Sequence, residues 1–133
     1  HAFPSCSVTR SGSMTFGVEA VRALGNSPAV RLGWDSEHRR IGVAAAAKGE
    51  AGALALRTQM TSGGKDTGSR SVFARAFLLY HGILPTENNR FRLDEVEMGV
   101  FALELDSPLP KKSYTKRTSP EGAPNRADSG IEP

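Results

Sequence analysis

Five arginines in the first half of the chain are the side chains best suited to chemistry, and that chemistry is the recognition of anions. Arg10 lies beside a Ser-Gly turn signal, Arg22 on the exposed side of a short helical stretch, and Arg31, Arg39 and Arg40 along a strand-turn-strand segment. A guanidinium is a planar, permanently charged fork that neutralises phosphates or reads guanine bidentately, and phosphate contacts make affinity fall steeply with salt. The competing explanation for each arginine is the solvated side of a half-exposed sheet, where a charge keeps the surface soluble.

Other chemistries fail on spacing. Gly63, Gly64 and Gly68 surround Lys65, but a P-loop needs G-x-x-x-x-G-K-[ST] opening a helix, and Asp66 follows this lysine where a phosphate would sit. The segment 61–68 is better read as a hairpin loop. His1, His38 and His81 have neither a partner at metal-ligand spacing nor a nearby cysteine. Gly12 to Gly17 misses the G-x-S-x-G nucleophile elbow. Cys6 has no activating neighbour in sequence. No catalytic residue, metal ligand or cofactor is therefore expected, and the chain is read as a non-enzyme.

Charge is unevenly distributed. From 1 to 60, seven basic residues accompany four acidic ones; from 61 to 110, five accompany seven; from 111 to 133, five accompany three, giving +3, −2 and +2. A basic first half beside an acidic second one means that only the first is suited to a phosphate backbone. No stretch approaches the run of about 20 apolar residues that spans a bilayer, so no membrane partner is expected. Residues 1–13 lack the basic start and apolar core of a signal peptide, and one cysteine cannot close an internal disulfide. A cytoplasmic setting is expected.

The elements that must position these arginines follow from periodicity. Val8 and Thr9 are β-branched, and Ser11-Gly12 turns the chain into Met14–Phe16. Glu19 to Leu24 reads as a helix of barely two turns: Glu19 suits the N-terminal dipole, Val21 and Leu24 share a face, and Gly25 supplies a left-handed stop. So short a helix must be clamped against a sheet. Val30, Leu32 and Trp34 alternate with Arg31, a polar turn follows at 35–38, and Ile41 and Val43 resume the apolar face, which predicts a hairpin. Residues 44–52 read as a connector. Leu54, Leu56, Thr58 and Met60 then alternate with Ala55, Arg57 and Gln59 as one strand. A second helix is expected from Ala74 to His81, with Phe73, Phe77 and Tyr80 on one side and Gly82 as its stop. Phe91 and Leu93, then Val100 to Leu105, make a last hairpin about Glu97–Gly99.

This order repeats. Residues 7–44 and 53–106 each read as strand, strand, helix, strand, strand, so the chain is predicted to be mainly β (α+β), with two tandem ββαββ repeats in one compact domain over 7–107. From Pro108, five prolines lie among Lys, Ser, Thr and Gly, and 108–133 is expected to be a disordered tail. Its basic Lys111, Lys112, Lys116 and Arg117 would add non-specific grip on DNA or keep the chain soluble.

The run from Val8 through Phe16, the helix ending Arg22-Ala23-Leu24-Gly25, and the strands Ala29–Asp35 and Arg40–Val43 resemble the AbrB-like swapped-hairpin domain. A second copy over 53–105 would be similar to the tandem MraZ type, which implies one small pseudo-symmetric β-barrel. Members are bacterial or archaeal DNA-binding transcription factors or antitoxins acting as dimers or larger assemblies. Arg10 and Arg22 fall where the family often carries DNA-contacting basic residues. Ser13 stands where members usually place a basic residue, and Phe16-Gly17 where they place a proline.

The expected function is that of a DNA-binding transcriptional regulator or antitoxin-like protein. It would contact double-stranded DNA through Arg10, Arg22, Arg31, Arg39 and Arg40. The alternative is a protein-interaction or structural module that keeps the barrel without the DNA surface, with a second copy or another protein as its partner.

Overall fold

The computed structural model describes residues 3–111; the part of the expected tail beyond Lys111 lies outside the described residues. The fold is mainly β. Strands β1 (Ser5–Val8) and β2 (Ser13–Phe16) lead into helix α1 (Val18–Ala23), then β3 (Ala29–Asp35) and β4 (Arg40–Ala46). The second half runs β5 (Leu54–Ala55), β6 (Arg57–Met60), β7 (Asp66–Phe73), α2 (Arg75–Tyr80), β8 (Asn89–Arg92), β9 (Asp94–Glu97) and β10 (Val100–Glu104). They form two antiparallel five-stranded sheets, ordered β6-β7-β2-β1-β8 and β5-β3-β4-β10-β9.

Local chemistry sets the turns. Between β1 and β2, the Thr9 N–H donates to Ser13 O and the Gly12 N–H to Thr9 O, both at 3.0 Å. Gly12 has φ +96°, and a Cβ there would lie 2.4 Å from the Cβ and 2.6 Å from the Cα of Arg75. That close approach lets the Ala74 N–H reach Gly12 O at 2.7 Å, which ties the hairpin tip to the start of α2. Helix α1 ends as its glycine predicts. Gly25 has φ +72°, its N–H bonds Arg22 O, and the Asn26 N–H returns to Val21 O.

Alternation then builds the core. Cys6, Val8, Met14, Phe16, Val72 and Phe91 point inward from the first sheet, and Val30, Ile41, Val43, Phe101 and Leu103 meet them from the second. Ala20, Val21 and Leu24 of the α1 segment complete the packing with Leu78 of α2.

Several expectations need correction. The single strand expected over 54–60 is broken at Leu56: β5 joins the second sheet beside β3, β6 joins the first beside β7, and the Leu56 N–H bonds Pro28 O. The 89–97 stretch breaks likewise at Leu93, whose N–H bonds Pro4 O, so Phe91 pairs with Cys6 rather than across the last hairpin. Period-two alternation fixes which side chains face one way but is silent on which sheet receives them. Ala44–Ala46 continue β4 opposite Ala29–Arg31, and Asp66–Gly68 belong to β7, which shortens the expected loop to a turn closed by Thr61 and Lys65. Helix α2 buries Leu78 rather than an aromatic face; Phe73 and Tyr80 stay 62% and 85% exposed. At the far end, 108–111 runs back along β8, with the Leu109 N–H on Arg90 O at 2.7 Å.

Three substitutions test this account. Gly25→Ala meets no atom within 4 Å and should cost only the left-handed strain of about 1–2 kcal/mol, whereas Gly12→Ala must also displace the Arg75 backbone and should cost more. Phe16→Ala, at a fully buried site, should cost about 3–5 kcal/mol. Urea midpoints order the three variants.

Candidate nucleic-acid interface

The face of the first sheet turned away from the core carries small hydroxyls and the exposed Phe73, with arginines at its edges. Because Cys6, Met14 and Val72 point inward, their neighbours Ser5, Ser7, Ser13, Thr15 and Ser71 take the opposite side. The register aligns one cross-strand row: Arg57 opposite Ser71, Ser71 opposite Thr15, Thr15 opposite Ser7, and Ser7 opposite Arg90. The row runs unbroken across β6, β7, β2, β1 and β8, and contains no carboxylate. Gln59 donates from Nε2 to Ser71 Oγ, fixing one hydroxyl beside Arg57. At the other edge Arg90 and Arg92 lie over the Phe3 ring, 5.9 and 4.8 Å from its centre.

The five arginines expected from sequence are not brought together. Arg10 sits exposed at the β1–β2 turn, where its N–H bonds Asn88 Oδ1 at 2.9 Å. Arg22 pairs with Glu19 one turn away on α1 at 2.9 Å. Arg31 on β3 pairs with Glu50 at 2.9 Å, Arg39 with Asp106 at 3.1 Å, and Arg40 with Asp35 at 3.2 Å. Arg70 and Arg92 are also matched, by Asp66 and Asp94.

Among the described residues, the arginines without a carboxylate partner are Arg10, Arg57, Arg75 and Arg90. Arg57 and Arg90 belong to the first sheet and Arg10 to its hairpin tip, which Arg75 reaches from the start of α2 by donating to Ser11 O. Surface ion pairs contribute little to stability, about 0–1 kcal/mol, but each cancels a charge that would otherwise project into solvent. The guanidiniums left to attract an anion therefore gather at the first sheet. Sequence reasoning missed Arg75 and Arg90 because they lie in the segment whose summed charge is −2, and Arg57, within the basic segment, because its strand shows only apolar alternation and no other charge.

The β3–β4 turn is the other polar cluster. Asp35, Glu37 and His38 bring potential ligand atoms within 4.8 Å of one another. Asp35 is already committed: Oδ1 accepts the N–H groups of Glu37 and His38, and Oδ2 faces His38 Nδ1 at 2.8 Å and the Arg40 guanidinium. The cluster is a hydrogen-bonded turn. His38, with Arg40, holds the Asp35 carboxyl below its usual range. His81 packs edge-on to Phe77 and Tyr80 at 4.8 and 4.9 Å, an aromatic rather than ligating setting. Cys6 is fully buried, and burial pushes its thiol far up, away from nucleophilic use.

A carboxyl whose folded pKa is depressed stabilises the fold above its unfolded pKa of about 4 and loses that contribution as pH falls through the lower folded value. Asp35→Ala should therefore be less stable than the parent chain at pH 6, and the gap should close as pH drops well below about 4. Urea melts at pH 6 and pH 2.5 measure it; an equal gap at both would show that the carboxylate is not what orders the turn.

No family model matches this chain, and neither curated proteins nor solved structures provide a match.

Proposed function

We propose that the chain is a non-enzymatic DNA-binding regulator of the AbrB-like swapped-hairpin kind, with two ββαββ copies sharing one pseudo-symmetric barrel in a bacterial cytoplasm. Support for two copies comes from which strands pair. With β5–β6 and β8–β9 each counted as one broken strand, the first strand of the first half lies against the third of the second half (β1 with β8), and the third of the first half against the first of the second (β3 with β5). The second strands pair with each other, as do the fourth (β2 with β7, β4 with β10). That reciprocity is what an approximate two-fold axis between copies produces.

DNA binding rests on one observation: the hydroxyl row of the first sheet ends in Arg57 and Arg90, which have no acidic partner among the described residues. Four strand spacings of about 4.8 Å separate them, roughly 19 Å in all. A B-DNA major groove is about 12 Å wide, so the sheet straddles it, with the edge guanidiniums on phosphates of the two strands. Seryl and threonyl hydroxyls between them keep the approach flat and donate to phosphate oxygens. Arg10 and Arg75 extend the same surface at the hairpin tip. Arg31 and Arg40 lie on the second sheet beside Glu50 and Asp35, and Arg39 lies in the turn between β3 and β4 beside Asp106, so none of the three adds to the first-sheet surface.

The alternative, a protein-interaction module, draws on exposed apolar residues on and beside that face. Leu79, Phe73 and Tyr80 are 53%, 62% and 85% exposed around α2, unusual for side chains of this size.

Fluorescence anisotropy with a mixed-sequence duplex, titrated across salt, separates the readings. Arg57→Gln with Arg90→Gln should lower the slope of log affinity against log salt by about 2, close to one for each phosphate no longer neutralised. Arg31→Gln with Arg40→Gln should leave the slope nearly unchanged, as should Leu79→Ser with Tyr80→Ser. Absence of duplex binding at low ionic strength would sink the proposal in favour of the interaction module.

A further inference from the structure

The connection from α2 to β8 covers 81–88, three residues longer than its counterpart from α1 to β3 at 24–28. Beneath the longer connection lies a cavity of about 310 Å³. Its floor is Val8, Leu78 and Phe91, all core residues, and its walls are Ile83, Leu84 and Leu105. Small-molecule sites of this kind are mostly apolar, of about 300–1,000 Å³, with a few polar groups that fix orientation.

The polar side chains at this cavity are Thr86, Glu87, Asn89 and Arg39, and Arg39 is its one cation. Arg39 has φ +50°, a left-handed conformation that glycine and asparagine adopt far more readily. An arginine held there disfavours the turn, so its retention calls for a compensating contact. Its backbone is fixed by the Leu105 N–H, which donates to Arg39 O at 3.0 Å. Its guanidinium leans over Trp34, with the carbon 5.8 Å from the ring centre. The ion pair to the exposed Asp106 uses Nε alone. The two terminal nitrogens have no acceptor among the described residues, and such a pair presents the parallel donors that grip a carboxylate. Glu87, also at the cavity, is occupied by Lys111 at 2.6 Å, and this partner holds its carboxyl below the usual range.

We propose that this cavity binds a small amphiphile with an apolar body and one carboxylate, the body on Leu78 and Phe91 and the carboxylate on the terminal nitrogens of Arg39. The site is separate from the first-sheet face and does not depend on DNA binding.

The test is a titration of the full chain with octanoate and with 3-phenylpropionate, followed by NMR amide and methyl shifts. Saturable one-to-one binding is expected, with the largest shifts at Ile83, Leu84 and Leu105. Arg39→Asn suits the left-handed backbone, so the variant stays folded while losing the fork; octanoate affinity should drop about tenfold or more, the scale of a missing charge-assisted hydrogen-bond pair. 1-Octanol should bind the parent chain weakly by a similar factor. No saturable shift with either acid, shifts centred elsewhere, or an Arg39→Asn affinity equal to that of the parent chain would each overturn the assignment.

Discussion

The pairing of β2 with β7 and of β4 with β10 is the constraint on which everything else depends. Each joins a hairpin of the first half to one of the second, and each sits in the middle of its sheet. Neither half can complete a sheet alone. A unit of about 45 residues is near the size below which chains need disulfides, metal or a partner to fold, and here each half is the other's partner. Met14 meets Val72 across the first of these pairs, and Ile41 and Val43 meet Leu103 and Phe101 across the second, so the core forms only when both pairs do. Stability is therefore a property of the whole domain, although its hairpins are local.

The same pairing decides where charge is displayed. Summed by sequence, the first half is basic and the second acidic, but ion pairs ignore that boundary. Arg39 of the first half is paired through Nε with Asp106 near the end of the second. Arg57 and Arg90 come from different halves by charge, and strand order places them at opposite ends of one hydroxyl row. The second sheet carries its arginines beside carboxylates: Arg31 with Glu50, Arg40 with Asp35. A charge count along the chain measures composition; the potential over a surface depends on which charges stay unmatched after folding.

Much of the fold was legible because it is local. The Ser11-Gly12 turn, the glycine stop of α1, the 29–43 hairpin and the paired short helices follow from turn chemistry and alternation. What stayed hidden was non-local. Nothing in the period-two pattern of 54–60 marks Leu56 as the point where the chain leaves one sheet for the other, and Leu93 is equally silent. Helix α2 misled for a different reason. Its aromatic residues look like a buried face, yet in six residues only one position points fully inward, and Leu78 takes it. The candidate interface was legible only at Arg10, whose turn position is local; Arg57 and Arg90 become neighbours in meaning only through β7, β2 and β1.

The two halves differ most where their helices return to the sheets, and that difference has a physical origin. Residues 24–28 make a short return in which the Schellman turn at Gly25 leads almost directly into buried Ala29 and Val30. The return at 81–88 begins with the same kind of turn, the Ile83 N–H on Leu78 O, but then carries Ile83, Leu84 and Pro85 in succession before β8 starts. Three consecutive apolar residues cannot all reach a core already filled by Leu78 and Phe91, so they arch over it and remain half-buried. The space under that arch is a consequence of length: helix α2 and strand β8 fix the two ends of the connection, and the surplus must bow outward. A sheet surface that is flat and polar and a pocket that is concave and apolar thus arise from one design, the first from pairing that is complete and the second from a connection longer than pairing requires.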